Sequence, residues 1–411
     1  MRAEIEQARM SGDLDKALSL INEAQKSEGG LSIGIGQQYA LTLMAGGKHG
    51  DALEILLLCV SKAPHEPQLW LNVAQCAEAI GDWEAALRAY DACLKIKQPN
   101  PAAAHIGRGS NLFRLGMNQW GREAWEKGIQ TDTTEGPSFQ KSQVLLAFGE
   151  WESGWREYEG RRSLEGWRVG VGAHGVAMHH LPDEWDGKSL GRVLVYGEQG
   201  AGDILMFSRY LPFVEMASGH FPAIVGGRDL DSYWPAKLLW TNKCEWAIPI
   251  GSLPLVLGIP EPMPIPPHHV LWTQRNNPKP RVGVCWKGSP YHTNDKDRSS
   301  PINFRDAFQD ERWEIVSLQC GYGFNPKDYL ETAELMRTLD AVVTVDTSNA
   351  HLAGTIGVPT ILIPPAAPEW RWSFGDTTPW YPSMKIVRRK RVDLWDDAIA
   401  RAKKTLVEIV K

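Results

Sequence analysis

Hydrophobic positions in the first part of the chain recur at helical spacing, and the whole pattern repeats with a period near 34 residues. Glycines spaced 35, 34, 35 and 33 residues apart mark the turns, at Gly12, Gly47, Gly81, Gly116 and Gly149. A small residue follows each glycine after five positions, and a large residue follows it after nine. The small residue lets two helices approach closely, and the large one fills the space between neighbouring units. The pattern predicts a helical repeat array over residues 1–165.

Beyond residue 190 the pattern changes to short apolar runs, several of them followed by a helical stretch. These runs lie at 192–196, 221–226, 246–249, 281–286, 315–319, 342–345 and 360–363. Uninterrupted apolar runs that alternate with helices predict strands of a parallel sheet, buried on both faces. The predicted fold class is therefore α + α/β, with a helical array before the α/β part.

Two stretches without either period separate these parts. Residues 166–190 are rich in Gly, His, Trp and Pro. They are predicted to form a linker that packs on the repeat array, with Trp167 and Trp185 as anchors. The proline-dense stretch 260–267 is the predicted hinge between a first α/β half, 191–275, and a second, 279–411.

A glycine-rich turn, Gly-Glu-Gln-Gly-Ala-Gly-Asp at 197–203, follows the first predicted strand. Such a turn lets a ligand approach the backbone. Its spacing differs from the G-x-G-x-x-G of dinucleotide sites, which disfavours an oxidoreductase. Asp203 fits two interpretations: it caps the following helix, or it is a carboxylate at the mouth of a cleft that takes a proton.

The second half offers cationic and polar side chains at the ends of its strands. Lys287 and Ser289 follow the strand 281–286, where a lysine is well placed to meet a diphosphate. The polar loop 292–300 either closes over a ligand, with Arg298 reaching in, or is simply exposed. Gln319 stands at the end of the strand 315–319.

The stretch 342–354 combines a buried strand with the start of a helix. Asp346, Thr347 and Ser348 are predicted to supply capping side chains, and His351 lies one turn inside the helix. Amides at a helix N-terminus and the helix dipole favour an anion. The stretch therefore predicts an anion-binding turn, or an ordinary βαβ crossover with a surface histidine.

Charge and composition exclude some classes of function. The net charge is −5, with 44 Lys and Arg against 49 Asp and Glu, which provides no general attraction for nucleic acid or anionic membrane. No apolar run approaches the ~20 residues of a membrane helix. The start of the chain shows no secretory signal, and the six cysteines form no C-x-x-C pair, so a cytoplasmic protein with packed thiols is predicted. His179–His180 and His268–His269 lack further ligands at useful spacing, so no metal is predicted.

The repeat resembles the tetratricopeptide repeat, most clearly over 67–100, where Trp70, Gly81, Ala86, Tyr90 and Pro99 match the family pattern. The later motifs resemble the heptosyltransferase-like glycosyltransferases of family 9, and in particular bacterial proteins that place such repeats before that domain. These motifs are YGEQGAGDILMFSRYLP at 196–212, RVGVCWKGS at 281–289, NDKDRSSP at 294–301, VDTSNAHLAGTIGVPT at 345–360 and PEWRW at 368–372. The resemblance implies a GT-B architecture of two Rossmann-like halves, with the donor nucleotide sugar mainly on the second half.

The resemblance also implies roles for the candidate residues. Asp203 is the general base and Lys287 stabilises the departing diphosphate, while the turn 346–351 cradles the phosphates. The nucleotide-binding set comprises Gly200, Gly202, Ser289, Arg298, Gln319, Asp346, Thr347, Ser348 and His351. Ser348 stands where the family often has glycine or alanine, and the first half is shorter than in the lipopolysaccharide enzymes.

The implied reaction is a metal-independent, inverting transfer of a sugar from a nucleoside-diphosphate sugar to an acceptor hydroxyl, without a cofactor. The acceptor is a protein, a glycan or a modified nucleic acid base. The repeat array binds the acceptor or a protein partner, drives self-association, or only buttresses the fold. The alternative is an interaction scaffold that carries an inactive transferase-like domain.

Overall fold

The computed structural model divides the chain into two compact units, Met1–Glu135 and Gly136–Lys411. It describes residues 1–410 except 165–166, 168–170, 173, 175, 227, 232, 235–243, 264–271, 274–276, 278, 291, 293 and the side chains of 228 and 231. Half of the predicted hinge at 260–267 and both His268 and His269 therefore lie outside the described residues.

The first unit consists of four consecutive helical pairs. The helices are α1 (Arg2–Met10), α2 (Leu14–Ser27), α3 (Ile33–Ala45), α4 (His49–Lys62), α5 (Pro67–Ile80), α6 (Trp83–Leu94), α7 (Ala102–Arg114) and α8 (Asn118–Thr131). The glycines that the sequence pattern placed in the turns have left-handed backbones, for example φ +86° at Gly81 and +81° at Gly116. Only glycine adopts this conformation at low cost, which explains why it recurs where each first helix ends.

The packing of the pairs follows the predicted small and large positions. Ala52 and Ala86 are fully buried, and a Cβ added to Gly121 would lie 2.9 Å from the Phe113 ring. Tyr90 and Trp125 are buried as the large residues, and Trp125 meets Phe113 edge-on at 4.8 Å between ring centres. The tetratricopeptide-type array of the predicted fold class is thus confirmed.

The fifth helical pair belongs to the second unit. It comprises α9 (Phe139–Phe148) and α10 (Trp151–Tyr158), followed by a 3-10 turn at Glu159–Ser163. The division into compact units therefore falls at Glu135, before the end of the array predicted at residue 165. The physical reason is that α10 buries Trp155 and Tyr158, and the following 3-10 turn buries Arg161, among α/β residues, as the site geometry shows below.

Two parallel sheets form the rest of the second unit. The first has the order β2-β1-β3, from β1 (Val193–Tyr196), β2 (Ala223–Val225) and β3 (Trp246–Pro249). The second has the order β5-β4-β6-β7-β8, from β4 (Arg281–Cys285), β5 (Glu314–Ser317), β6 (Ala341–Val345), β7 (Thr360–Ile363) and β8 (Met384–Ile386). The strand β8 was not predicted, since it is three residues long at the sheet edge and buries only alternate side chains. The predicted GT-B-like pair of α/β halves is otherwise confirmed.

Helices connect the strands in both halves. They are α11 (Ala201–Phe207), α12 (Leu211–Ser218), α13 (Arg228–Asp231), α14 (Leu253–Val256), α15 (Asp295–Arg298), α16 (Phe304–Ala307), α17 (Tyr329–Met336), α18 (Ser348–Ile356) and α19 (Trp395–Ile409). A core of β4, β6 and β7 valines and isoleucines packs against Phe304, Trp313 and Trp395. None of the described helices is long and apolar enough to cross a bilayer.

The connector packs differently from the prediction. Trp185 is buried, and its backbone amide donates to Ala247 O on β3 at 3.0 Å. Trp167 is buried with Leu194 and Tyr196 of β1. Both anchors therefore lie at the first sheet, and the Trp167 ring also contacts the Arg162 guanidinium, whose carbon is 5.5 Å from the ring centre.

Candidate active site

The strand order places the candidate residues at one edge of the second sheet. Because β4 pairs in parallel with both β5 and β6, the carboxyl ends of these strands lie side by side. The chain leaves β4 towards β5 on one side and returns to β6 on the other. This reversal is the point in an open α/β sheet where ligands bind. Lys287, Gln319 and Asp346 come within two residues of these three strand ends.

Lys287 is exposed, and hydrogen bonds to Gln319 hold the backbone around it. Its amide and that of Trp286 donate to Gln319 Oε1 at 2.9 and 3.2 Å. Gln319 thus fixes the end of β4 through its carbonyl oxygen. Among the described residues, the Lys287 ammonium group has no hydrogen-bond or ion-pair partner. The side chain is placed to meet an anion that approaches this edge.

Buried contacts of Asp297 hold the loop 292–300 in place. Asp297 is completely buried and pairs with Arg389 Nη2 at 2.7 Å. Its carboxylate also accepts from the amides of Ala366 and Ala367, at 2.7 and 3.2 Å. This anchor holds Arg298, whose Nη2 donates to Ser289 O at 3.4 Å and lies against Gly288. Ser289 and Arg298 are therefore close to each other and to Lys287 in the chain fold, and their part in binding a ligand stays a prediction.

The turn after β6 begins α18. Thr347 occupies the N-cap position with an extended backbone, but its side chain makes no capping hydrogen bond. Its Oγ1 lies 3.5 Å from Thr344 Oγ1. The predicted capping by this side chain is therefore absent, since the hydroxyl turns toward the strand. Amides in the first turn of a helix have no partner within the helix, so those of Ser348 and Asn349 are available to an acceptor.

His351 is a buried residue and not the surface histidine of the simple crossover interpretation. Its side chain is 5% exposed, and Nδ1 lies 2.9 Å from the Tyr381 hydroxyl. A Cβ added to Gly202 would lie 2.5 Å from the His351 ring, so only glycine allows α11 to approach α18 this closely. Burial and the Arg371 charge hold the pKa of His351 well below its usual range. The imidazole is therefore neutral, and the donor role predicted for it stays a prediction.

The glycine-rich turn after β1 is fixed by buried hydrogen bonds. Glu198 accepts from Arg161 Nε and Nη2 at 3.0 and 2.8 Å, from Trp167 Nε1, and from the Gly251 amide at 2.9 Å. The Tyr158 hydroxyl donates to Gln199 Oε1 at 3.1 Å. The last helical pair therefore helps to shape the turn that carries Gly200, Gly202 and Asp203.

Asp203 is bound by an arginine that no sequence pattern identified. Arg371, in the loop after β7, donates from Nε to Asp203 Oδ1 at 3.1 Å, and its Nη2 contacts the same oxygen. Its Nη1 donates to Glu369 Oε1, and its guanidinium lies 4.1 Å from the centre of the Trp370 ring. Arg371 thus joins the first half to the second. The available signal was its place in the PEWRW motif of 368–372.

Carboxylates outnumber cations around Arg371. Burial raises the pKa of Asp346, although the charges of Arg371 and Arg298 lower it. Burial also raises the pKa of Glu369 to about 7, assisted by the neighbouring Asp346 and Asp203 charges and opposed by Arg371. The site can therefore hold a proton on a carboxyl group near neutral pH. No group of three or more His, Cys, Asp and Glu side chains within the described part of the chain is arranged to hold a metal ion.

A cluster of aromatic rings packs next to Asp203 and Arg371. Trp155 of α10 meets Trp370 at 5.5 Å and Phe207 of α11 at 5.8 Å, edge-on in both cases. Trp380 lies within 6.2 Å of Trp155 and of Phe207. Rings from the last helical pair and from both halves therefore meet in one cluster, and Trp370 of this cluster lies against the Arg371 guanidinium.

The raised pKa of Glu369 is expected to make the free energy of unfolding depend on pH. In the unfolded chain its carboxyl releases its proton near the ordinary value of 4.5, whereas the folded protein holds it up to about 7. Stability conferred by this group is therefore present below pH 4.5 and is lost as the pH rises to 7, by up to about 3 kcal/mol. We measure the urea midpoint of the wild type minus that of Glu369→Gln. We expect this difference to decrease when the pH is raised from about 5 to about 7.5. Glu54→Gln, at an exposed position of α4, is the control, and an unchanged difference at the two pH values would contradict the shift.

Comparisons with known proteins find distant similarities. No protein-family model matches the chain. Protein FlbA of Caulobacter vibrioides is 21% identical over 421 aligned positions, covering 86% of this chain and 69% of that protein. Among solved structures, MamA is similar over 38% of this chain and 84% of its own, with 20% identity and a TM-score of 0.29. A mutant of Thermobaculum terrenum O-GlcNAc transferase is similar over 100% of this chain and 92% of its own, with 11% identity and a TM-score of 0.37. At these identities and scores, none of the similarities assigns a function.

Proposed function

We propose that the chain is a glycosyltransferase that moves a sugar from a nucleoside-diphosphate sugar to an acceptor hydroxyl, with inversion and without a metal. The observation that carries the proposal is the contact between the segment that follows β1 of the first sheet and the loop that follows β7 of the second. There, Asp203 of the first half lies at Arg371 of the second, beside the β4–β6 reversal. The finer identification with the heptosyltransferase-like family rests on the motifs quoted above.

The leaving group is stabilised by the second half. When the bond between the anomeric carbon and the phosphate oxygen breaks, negative charge develops on the diphosphate. Lys287, Arg298 and the first amides of α18 lie at the sheet edge where this charge would form. Fixed donors and cations at such a position lower the barrier without a metal.

The acceptor is activated from the first half. The hydroxyl oxygen attacks the anomeric carbon as the phosphate leaves on the opposite side, and direct displacement inverts that carbon. The hydroxyl proton passes to the Asp203 carboxylate. The protein, glycan or nucleic acid that supplies the hydroxyl would be held with help from the repeat array, in keeping with the extended surfaces of such arrays.

One observation favours the second candidate, an interaction scaffold with an inactive transferase-like domain. Asp203 Oδ1 is already bound by Arg371, and His351 is buried between Gly202 and Tyr381. In an inactive domain such contacts would be purely structural. Nucleotide binding separates the two candidates.

The test is a thermal-shift panel with ADP-, UDP-, GDP- and TDP-glucose. A donor at a hundred times its Kd is expected to stabilise the protein by about 2.7 kcal/mol, which raises Tm by several degrees. Lys287→Ala should weaken binding by about 1.5–3 kcal/mol, because it removes a charge-assisted hydrogen bond. Lys385→Ala, at an exposed position of β8, should leave the shift unchanged. No shift with any of the four nucleotides would favour the scaffold.

A further inference from the structure

The proposed mechanism gives Arg371 no role, although its side chain makes several contacts within the site. Its side chain is 15% exposed. Glu369 binds it twice, since Oε1 accepts from the guanidinium and Oε2 accepts from the Arg371 amide at 2.9 Å. The Arg371 carbonyl accepts from Thr378 Oγ1 at 2.7 Å. Together with the Trp370 ring, these contacts fix the guanidinium plane from the second half.

The guanidinium holds Asp203 by one oxygen only. Both Nε and Nη2 of Arg371 donate to Oδ1. Within the described residues, Oδ2 has no hydrogen-bond partner, and a Cβ added to Gly200 would be 3.8 Å from it. A carboxylate bound in this way is fixed in orientation and still has one oxygen with free lone pairs.

The balance of charge also suits a proton acceptor. A single arginine and aspartate would form a neutral pair. Glu369 adds a second carboxylate to the same guanidinium, so that the chain Glu369–Arg371–Asp203 has a net charge of −1 when both carboxylates are ionised. The single Arg371 cation therefore does not neutralise the two ionised carboxylates that it contacts.

We propose that Arg371 is a positioning residue of the transfer reaction: fixed by Glu369, it holds Oδ1 of Asp203 so that Oδ2 faces the acceptor hydroxyl. This proposal rests on the proposed function. Asp203 belongs to the first half, whereas Arg371 and Glu369 belong to the second. The base is thus aligned only when the two halves are in contact, which links proton transfer to closure of the cleft over the donor.

The first test is steady-state hydrolysis of ADP-, UDP-, GDP- and TDP-glucose at pH 8, with water as the acceptor. Arg371→Gln is expected to lower kcat about 100-fold, because misplacing a catalytic group by about 1 Å has this effect. The KM for the donor should change by less than about threefold. Arg371→Lys should recover only part of the loss, since lysine lacks the two-nitrogen fork. Glu369→Gln, which keeps the shape of the side chain, should give an intermediate kcat.

Arg312→Gln is the matched control, because Arg312 forms a two-point pair with Asp310 at the surface, at 2.8 and 2.7 Å. It should leave both constants unchanged. A higher KM with unchanged kcat in Arg371→Gln would make Arg371 a donor-binding residue and overturn the proposal. Unchanged kinetics in both Arg371 variants would overturn it as well.

A double-mutant cycle tests the contact without any nucleotide. Asp203→Ala and Arg371→Gln each remove the contact and should each lower the urea midpoint, and the double variant should lower it no further than the larger single change. An additive double variant would overturn the proposal. If the wild type neither binds nor hydrolyses any of the four donors, the proposed function fails and the catalytic role of Arg371 fails with it. If the wild type is active and the Arg371 variants behave like Arg312→Gln, the positioning role alone fails.

Discussion

Replacing Asp203 with asparagine is expected to lower kcat for sugar transfer by about 10²–10⁴-fold, the usual contribution of a general base. The amide has the shape of the carboxylate and can still accept from Arg371, so the turn after β1 should keep its structure. It cannot take the proton of the acceptor hydroxyl. Donor binding depends on the second half, so the thermal shift with the nucleotide sugar should remain.

The measurement is the rate of nucleoside diphosphate release, together with the thermal shift, for Asp203→Asn and Asp203→Ala. Asp396→Asn, at an exposed position in the first turn of α19, is the matched control and should transfer at the wild-type rate. Wild-type turnover in both Asp203 variants would remove its assigned role. Loss of the thermal shift together with turnover would instead place Asp203 in donor binding.

The largest expected effect on stability comes from Arg161. Arg161 and Glu198 are 1% and 2% exposed, so their pair is buried. Arg161→Leu leaves the Glu198 carboxylate buried with the Trp167 indole and the Gly251 amide as its donors among the residues that the structure describes. Removing one partner of such a pair typically costs about 3–5 kcal/mol, because the remaining charge has lost its compensation. We expect a loss of this size in the free energy of unfolding of the second unit, measured by urea denaturation.

Two comparisons separate this effect from a general loss of contacts. The double variant Arg161→Leu/Glu198→Leu should recover part of the stability, since it removes the buried charge as well. Arg156→Leu breaks a pair with Glu152 whose side chains are 65% and 70% exposed, and should cost less than about 1 kcal/mol. Equal losses in Arg161→Leu and Arg156→Leu would show that burial of the pair does not determine its contribution.

Most helices and strands of the fold could be predicted from local sequence patterns. The turn glycines were correctly placed because a left-handed backbone restricts the residue that can occupy it, whatever the rest of the chain does. The strands β1, β3, β6 and β7 were found within a residue of their ends because they are continuous apolar runs. The strand β8 escaped because three edge residues with one side exposed carry little periodic signal.

The candidate site could be predicted from the sequence only in part. Lys287 and Gln319 lie at the same edge of the second sheet because they follow neighbouring parallel strands, and their role in binding a nucleotide stays a prediction. Arg371 was missed because its partner Asp203 is 168 positions away in the sequence. The burial of His351 was missed for the same reason, since the space around it is filled by Gly202 and Tyr381 from distant segments.

The sequence by itself determined the helical repeat, the two parallel α/β halves and the polar residues at their strand ends. Helical and strand periods, turn glycines and strand-end positions are local properties, so a linear pattern records them. Only the tertiary structure decided that the fifth helical pair belongs to the α/β unit and that Asp203 is held by Arg371. These facts arise from desolvation and charge pairing between segments far apart in the chain, and the energy of such contacts depends on distances that no local pattern contains.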